Sequence, residues 1–102
     1  MIVTGDQVCV LGIIIQEVLQ GIANAELAES IQVELEPFDL FDLTREDYVA
    51  AATLHRTCRS GGIAAGSIDC LIAAAAERHD CYLLTLDNDF DRLASFCQLR
   101  LL

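Results

Sequence analysis

Four aspartates lie near an apolar stretch whose packing does not require them. In SIDCLIAAAAERHDCYLLTLDNDF, residues 67–90, Asp69 lies near the start of a predicted helix. Asp87, Asp89 and Asp91 follow a predicted strand. Carboxylate oxygens are the ligands that Mg²⁺ prefers in proteins, and a bound divalent ion can activate water for hydrolysis. Each of these carboxylates therefore needs either a chemical role at a shared site or a local structural role.

Local structural roles are open to all four residues. An acidic residue in the first turn complements the helix dipole, which is worth roughly 0.3–1 kcal/mol and would account for Asp69. Asp87 or Asp89 could cap the helix that begins near Phe90, and Asp91 could be a solvated residue of its first turn. Taken one at a time, these residues leave both interpretations open.

The elements that would position these side chains alternate between strand and helix patterns. The predicted strands cover 7–10, a short edge stretch within 34–43, 81–86 and 98–102. The predicted helices cover 12–21, 24–33, 44–60, 67–79 and a short stretch within 87–97. Strands separated by helices predict an α/β domain with a mostly parallel sheet, and ligands of such sheets bind at the carboxyl ends of the strands.

This layout places three carboxylates near one edge of the sheet. Asp87 follows the strand 81–86, and Asp69 lies in the first turn of its helix. Glu17, on the helix after the strand 7–10, could reach the same edge, although it could also be a partly exposed residue of an amphipathic helix. Converging carboxylates repel one another unless they are protonated or bridged by a cation.

The charge balance bears on the substrate. The chain has 16 acidic residues and 6 basic ones, all arginine, for a net charge of −10. Such a protein repels a phosphate backbone at long range, so action on a phosphodiester needs a cation such as a divalent metal ion between carboxylate and phosphate. Alternatively, the acidity only keeps the surface soluble, which would suit a binding module equally well.

Length and composition set further limits. The 102 residues, 54% of them hydrophobic, predict one globular domain over 1–102. No apolar run approaches the ~18 residues of a membrane span, and the N-terminus lacks the pattern of a secretory signal, so a cytoplasmic location is expected. The five cysteines predict small buried apolar side chains in a reducing compartment. His55 and Cys58 have metal-ligand spacing, but there is no second pair to complete a tetrahedral site.

The residue pattern as a whole resembles the PIN-domain family, in particular the ribonuclease toxins of the VapC type. The resemblance includes IQEVLQGI at 15–22, an S-x-D-x-L-I-A-A helix and an L-T-x-D-x-D-F strand end. The matching positions are Ser67, Asp69, Leu71, Ile72, Ala73, Ala74, Leu84, Thr85, Asp87, Asp89 and Phe90. The segment 44–63 is similar to the middle helix of the family, and 98–102 to its last strand.

This resemblance implies a three-layer α/β/α fold and a metal-dependent endoribonuclease. Glu17, Asp69 and Asp87 match the catalytic acidic residues of the family, and these three together with Asp89 would hold Mg²⁺ or Mn²⁺. The ion would orient and activate a water that attacks the RNA phosphodiester. The family also implies an antitoxin-like protein partner, which inserts a basic segment into the acidic site, and a homodimer or larger assembly.

One departure from the family concerns the N-terminus. The family begins with a strand that ends in an aspartate, followed by a helix, whereas this chain resembles the family from its second strand onward. Asp6 precedes a strand and does not match that aspartate. The expectation is therefore an N-terminally truncated fold, with a gap in the middle of the sheet and a hole in the metal site. Three explanations are open: a misassigned start codon, a truncated relic, or a chain that fills the gap by rearranging or by exchanging elements with another copy. An unpaired strand edge would also favour association.

Other classes fit less well. A receiver domain and a P-loop both need a lysine, and the chain has none. The alternative that remains is a catalytically impaired PIN-like protein that acts as an antitoxin-binding or oligomerising module.

Overall fold

The computed structural model describes residues 1–4, 7–85 and 87–101. They contain five strands, which form one sheet, and five helices. The strands are β1 (Ile2–Thr4), β2 (Gln7–Leu11), β3 (Asp39–Phe41), β4 (Tyr82–Leu83) and β5 (Arg100–Leu101). The helices are α1 (Gly12–Gln20), α2 (Ala25–Leu35), α3 (Arg45–Ser60), α4 (Ser67–Arg78) and α5 (Asp89–Leu93).

The sheet has the strand order β3-β2-β1-β4-β5. β2 pairs with β3 and β4 pairs with β5 in parallel, whereas β1 is antiparallel to both of its neighbours. Because β2 and β4 both oppose β1, they run in the same direction as each other. All four strands that the sequence predicts are therefore parallel in direction. The predicted α/β fold is confirmed, and its sheet is mixed because of β1.

The expected gap in the middle of the sheet is wrong, because β1 fills it. Ile2 lies opposite Cys9 of β2 and Leu83 of β4, so the hydrogen-bonded ladder continues across the centre of the described sheet. Residues 2–4 are β-branched and suited to a strand, but three residues are too few to show a periodic pattern. Tertiary pairing on both sides determines this strand.

The direction of β1 decides which of its ends approaches the candidate site. The carboxyl ends of β2 and β4 lie at one edge of the sheet, and the antiparallel β1 has its amino end there. Met1 is accordingly paired with the residue after β4, since the backbone N–H of Leu84 donates to the Met1 carbonyl at 2.8 Å. The central strand thus contributes Met1 and Ile2, rather than a carboxylate, to this edge.

The hydrophobic core lies between one face of the sheet and the pair α3 and α4. Ile2, Leu11 and Leu83 come from the sheet, and each is at most 2% exposed. The alanines 73–76 of α4 are all buried in the same region. Small side chains let α4 approach the sheet on one side and α3 on the other, which explains a helix that is apolar around most of its circumference.

The opposite face of the sheet is covered unevenly. Val10 is 1% exposed, but Leu40 beside it is 59% exposed and Tyr82 of β4 is 39% exposed. The three-layer arrangement expected from the family resemblance predicts helices over this whole face. In the described residues the outer part of the face is open.

Local capping signals mark the boundaries of two helices, α2 and α3. Asn24 caps α2 by accepting from the backbone N–H of Leu27 at 3.0 Å. Thr44 precedes α3 in a capping box, and Gly62, with a φ of 80°, follows its end in a conformation that favours glycine. The last helix, α5, lies within 87–97, as predicted. The end of the predicted strand 81–86, at Leu86, lies outside the described residues.

Two further sequence expectations concern composition. All five cysteines are free, and four of them are buried, as predicted for small apolar side chains. None of the helices in the described ranges is long and apolar enough to cross a membrane.

Candidate metal centre

Three carboxylates meet at the edge of the sheet where β2 and β4 end. Asp69, Asp87 and Asp89 each offer an oxygen atom, and these atoms all lie within 4.8 Å of one another. Asp69 comes from the first turn of α4, Asp87 from the segment after β4, and Asp89 from the start of α5. Two helices and the segment between β4 and α5 therefore contribute one carboxylate each.

Local hydrogen bonds shape the segment that carries two of these residues. The hydroxyl oxygen of Thr85 accepts from the backbone N–H of Asp87 at 3.0 Å. The Asp87 carboxylate accepts from the backbone N–H of Asp89 at 2.9 Å. Side-chain acceptors that bond two residues onward are the usual turn chemistry of Asp and Thr. Asp87 thus accepts from the first residue of α5, in line with the local role at the start of that helix that the sequence left open, and this role coexists with membership of the cluster.

The electrostatics of the cluster favour a bound cation or proton. Asp69 is half-buried, and burial is the largest cause of its raised pKa. The charges of Asp87, Asp89 and Glu17 raise this pKa further, in that order. The ionised form of Asp69 is thus destabilised by its surroundings, and a cation that neutralises its neighbours would relieve this cost.

Arg92 is the basic residue that sequence reasoning missed. Its guanidinium donates to Asp89 at 2.9 Å, and it lines a small pocket together with Asp69 and Asp89. Both partners are more than half exposed, with side-chain exposures of 58% and 57%, so this ion pair stabilises the fold little. The spacing from Asp89, three residues along a helix, was the signal that could have revealed the pair.

The structure separates two other acidic residues from the cluster. Glu17 is exposed on α1, and it is not among the residues whose oxygens lie within 4.8 Å, although its charge acts on Asp69. Asp91 lies in the first turn of α5 and is exposed, which agrees with its interpretation as a solvated residue. His55 and Cys58 likewise form no group of three potential ligands among the described residues.

A cavity of about 230 Å³ lies beside the cluster. Asp69 and Asp87 line one side of it, and Met1 and Ile2 from the amino end of β1 line another. Most of the remaining lining is apolar. The family resemblance predicts that one carboxylate of the metal site, on the central strand, is missing. In the structure Met1 and Ile2 line the cavity there, and neither is acidic.

The donor set fits Mg²⁺ or Mn²⁺. The clustered side chains offer only carboxylate oxygens, which suit hard divalent ions, and they include no thiolate or imidazole. Burial and then the charges of the neighbouring carboxylates raise the pKa of Asp69, and a bound cation would offset the repulsion among these charges.

Comparison of the amino-acid sequence with those of known proteins identifies its relatives. The VapC ribonuclease Mb1587 of Mycobacterium bovis and Ribonuclease VapC11 of Mycobacterium tuberculosis are each 44% identical to the chain over 55 residues. The match covers 53% of this chain and 41% of each relative, so the matched part spans less than half the length of these curated proteins. A profile of the PIN domain matches residues 2–95, almost the whole chain. The chain therefore belongs to the PIN-domain family.

Proposed function

We propose that the protein is a metal-dependent endoribonuclease of a toxin-antitoxin system. The observation that carries the proposal is the cluster of Asp69, Asp87 and Asp89, whose oxygens lie within 4.8 Å of one another. Membership of the PIN-domain family and the similarity to proteins named as VapC ribonucleases support the same conclusion. A cluster of this kind, in a chain of net charge −10, is suited to phosphate chemistry only with a cation.

The carboxylates of Asp69, Asp87 and Asp89 would hold Mg²⁺ or Mn²⁺, and the ion would supply positive charge for the RNA phosphate and activation of a water for hydrolysis. Asp69 would contribute its carboxylate from the first turn of α4. Asp87 and Asp89 are oriented by the hydrogen bonds of their turn. Glu17 is exposed and within electrostatic reach of Asp69, so it is the carboxylate available to accept a proton from the attacking water.

The partners follow from the same proposal. An antitoxin-like protein with a basic segment would complement the acidic cluster and the net charge of −10. Association into a homodimer or larger assembly has support from the open outer part of the sheet, where Leu40 and Tyr82 are exposed. A cytoplasmic location, where the RNA substrate and a reduced thiol pool are both present, completes the proposal.

A second candidate function has its own observation. The central strand lines the site cavity with Met1 and Ile2, and no carboxylate of β1 lies there. Loss of one ligand weakens metal binding, and catalysis falls with it. The alternative is therefore a catalytically impaired PIN-domain protein that binds an antitoxin-like partner or oligomerises through this fold.

Cleavage of single-stranded RNA separates the two candidates. The unmodified chain is compared, in Mg²⁺ or Mn²⁺, with Asp69→Asn and with the same chain in EDTA. For the nuclease we expect Asp69→Asn to lower the rate on the order of 100-fold, since one charged group of the site is lost. Asp91→Asn is the matched control, because it removes one exposed carboxylate of α5 outside the cluster, and its rate should stay unchanged.

The outcomes are distinct. Cleavage that is lost in Asp69→Asn and in EDTA, and kept in Asp91→Asn, supports the nuclease. A folded chain without activity supports the interaction module. Activity that survives both Asp69→Asn and EDTA would contradict the metal site altogether.

A further inference from the structure

A groove of about 570 Å³ lies between α1, α3 and the start of α4. Tyr48, His55, Arg56 and Arg59 line it from α3, and Ser67 and Ile68 line it from α4. None of its lining residues is acidic. In a chain with 16 acidic residues among 102, a groove of this size without a carboxylate is a marked departure from the rest of the surface.

The arginines of the groove differ from three other arginines of the chain. Arg78, Arg92 and Arg100 are each paired with an aspartate. Arg56 and Arg59 are exposed, and neither forms an ion pair with another described residue. They are three residues apart on a helix, so both side chains project from one face. Their positive charge is therefore available to an anionic ligand.

The groove adjoins the acidic cluster on two helices. On α4, Ser67 and Ile68 line the groove, and the next residue, Asp69, belongs to the cluster. On α1, Ile13 lines the groove, and the next residue, Ile14, lines the site cavity. A ligand that occupies the groove would thus lie next to the carboxylates.

We propose that the groove binds the backbone of the RNA strand on one side of the scissile phosphate. Arg56 and Arg59 contact phosphates, and the ring of Tyr48, which is 55% exposed, stacks on a base. This inference rests on the proposed ribonuclease function, because it identifies the path of that substrate to the site. The neighbouring acidic cluster favours RNA over an acidic peptide. The carboxylates of a peptide would meet the like charges of the cluster, whereas the scissile phosphate of RNA is the group that the proposed metal site acts on.

Binding measured without cleavage tests the inference. The full chain is titrated into fluorescein-labelled single-stranded RNA in EDTA, and anisotropy gives Kd at several salt concentrations. Each phosphate contact with a single strand contributes about 0.7 to the slope of log Kd against log salt. Arg56→Gln combined with Arg59→Gln should therefore reduce that slope by about 1.4 and weaken binding about tenfold or more at low salt.

Arg45→Gln is the matched control for charge. Arg45 is exposed at the start of the same helix, and it does not line the groove. Arg45→Gln removes one positive charge, compared with two in the groove variant, and should leave the slope of log Kd against log salt unchanged. Tyr48→Leu tests the stacking contact separately: it should weaken binding about fivefold or more while the salt slope stays the same, because no phosphate contact is lost.

Every outcome is decisive. If the arginine variant binds RNA like the unmodified chain, or if Arg45→Gln has the same effect, the groove assignment is overturned while the nuclease proposal stands. If the unmodified chain does not bind RNA, the RNA assignment is wrong, and binding of a fluorescein-labelled poly-glutamate peptide that depends on Arg56 and Arg59 would make the groove a peptide site. If RNA binding depends on these arginines but metal-dependent cleavage is absent, the groove is supported and only the nuclease fails.

Discussion

Two aspartates occupy the same position in neighbouring helices and have opposite surroundings. Asp47 is the third residue of α3, and Asp69 is the third residue of α4. Asp47 has a side chain that is fully buried and hydrogen-bonded. Asp69 is half-buried and lies among other carboxylates. The position in the helix is thus compatible with either a structural or a functional role.

Asp47 joins the start of α3 to the end of α4. Its carboxylate accepts from the backbone N–H of Thr44 at 2.8 Å and from Arg78 at 2.6 Å, and one of its oxygens lies 3.0 Å from His79 Nε2. Burial by itself raises the pKa of Asp47, but the hydrogen bonds from Thr44, His79 and Arg78 outweigh this effect and lower the pKa to about 2.

Asp69 shows the reverse balance. Its burial raises the pKa, and neighbouring charges add to the increase instead of opposing it. The cap residue of α4 is Gly66, which offers no side chain to complete a capping box. A carboxylate that the fold pairs completely is structural, whereas one that the fold leaves crowded and uncompensated is available to a ligand.

Replacement of the paired aspartate should have the largest effect on stability. Asp47→Ala removes the capping box and the buried partner of Arg78 and His79, so we expect the free energy of unfolding to fall by about 3 kcal/mol. Chemical denaturation measures this change. Glu46→Ala, at the exposed preceding residue of the same helix turn, should cost less than about 1 kcal/mol. Equal losses in the two variants would contradict the structural role of Asp47.

Stabilisation of the fold by a divalent ion should depend on Asp69 and not on Asp47. Mg²⁺ or Mn²⁺ at about 100 times its Kd should stabilise the unmodified chain by about 2.7 kcal/mol, because the folded state alone has the clustered ligands. In thermal unfolding, Asp47→Ala should be less stable than the unmodified chain but should gain the same stabilisation from the ion. Asp69→Asn should gain none. An increment that persists in Asp69→Asn would place the ion elsewhere.

Acid should weaken the Asp47 network in a defined window. The pKa of Asp47 is lowered from 3.8 to about 2, so the folded state holds the carboxylate ionised more strongly than the unfolded state does. This contribution is fully present above pH ~4 and is lost as the pH falls toward ~2, with a total of about 2 kcal/mol. The difference in unfolding free energy between the unmodified chain and Asp47→Ala should shrink by that amount. A constant difference across the window would contradict the lowered pKa.

The smallest effect should come from Asp69→Asn in the absence of metal. Removal of one of several repelling carboxylates should leave the stability unchanged or raise it by up to about 1 kcal/mol at neutral pH. Denaturation in EDTA measures this, with Asp91→Asn as the control for loss of a single surface charge. A decrease of several kcal/mol would instead mean that Asp69 is purely structural.

The clearest successes of sequence reasoning come from strong local patterns. The sequence predicts a helix from Ser67 to about His79, and the observed α4 ends one residue earlier, because its long apolar run is a strong local pattern. The grouping of Asp69 with Asp87 followed from their places at a helix start and a strand end, whereas Asp89 was expected there from the family resemblance. Such placement depends on the general rule that sites of α/β sheets lie at the carboxyl edge.

The sequence by itself determined the alternation of strands and helices, the family, and the acidic residues from which a site could be made. Only the tertiary structure decided that β1 enters the centre of the sheet in reverse, that Asp47 is buried between Arg78 and His79, and that Glu17 stays outside the cluster. Periodicity and capping act over a few neighbouring residues and can be read along the chain. Strand direction and charge pairing depend on groups that lie far apart in sequence, and they exist only once those groups are packed together.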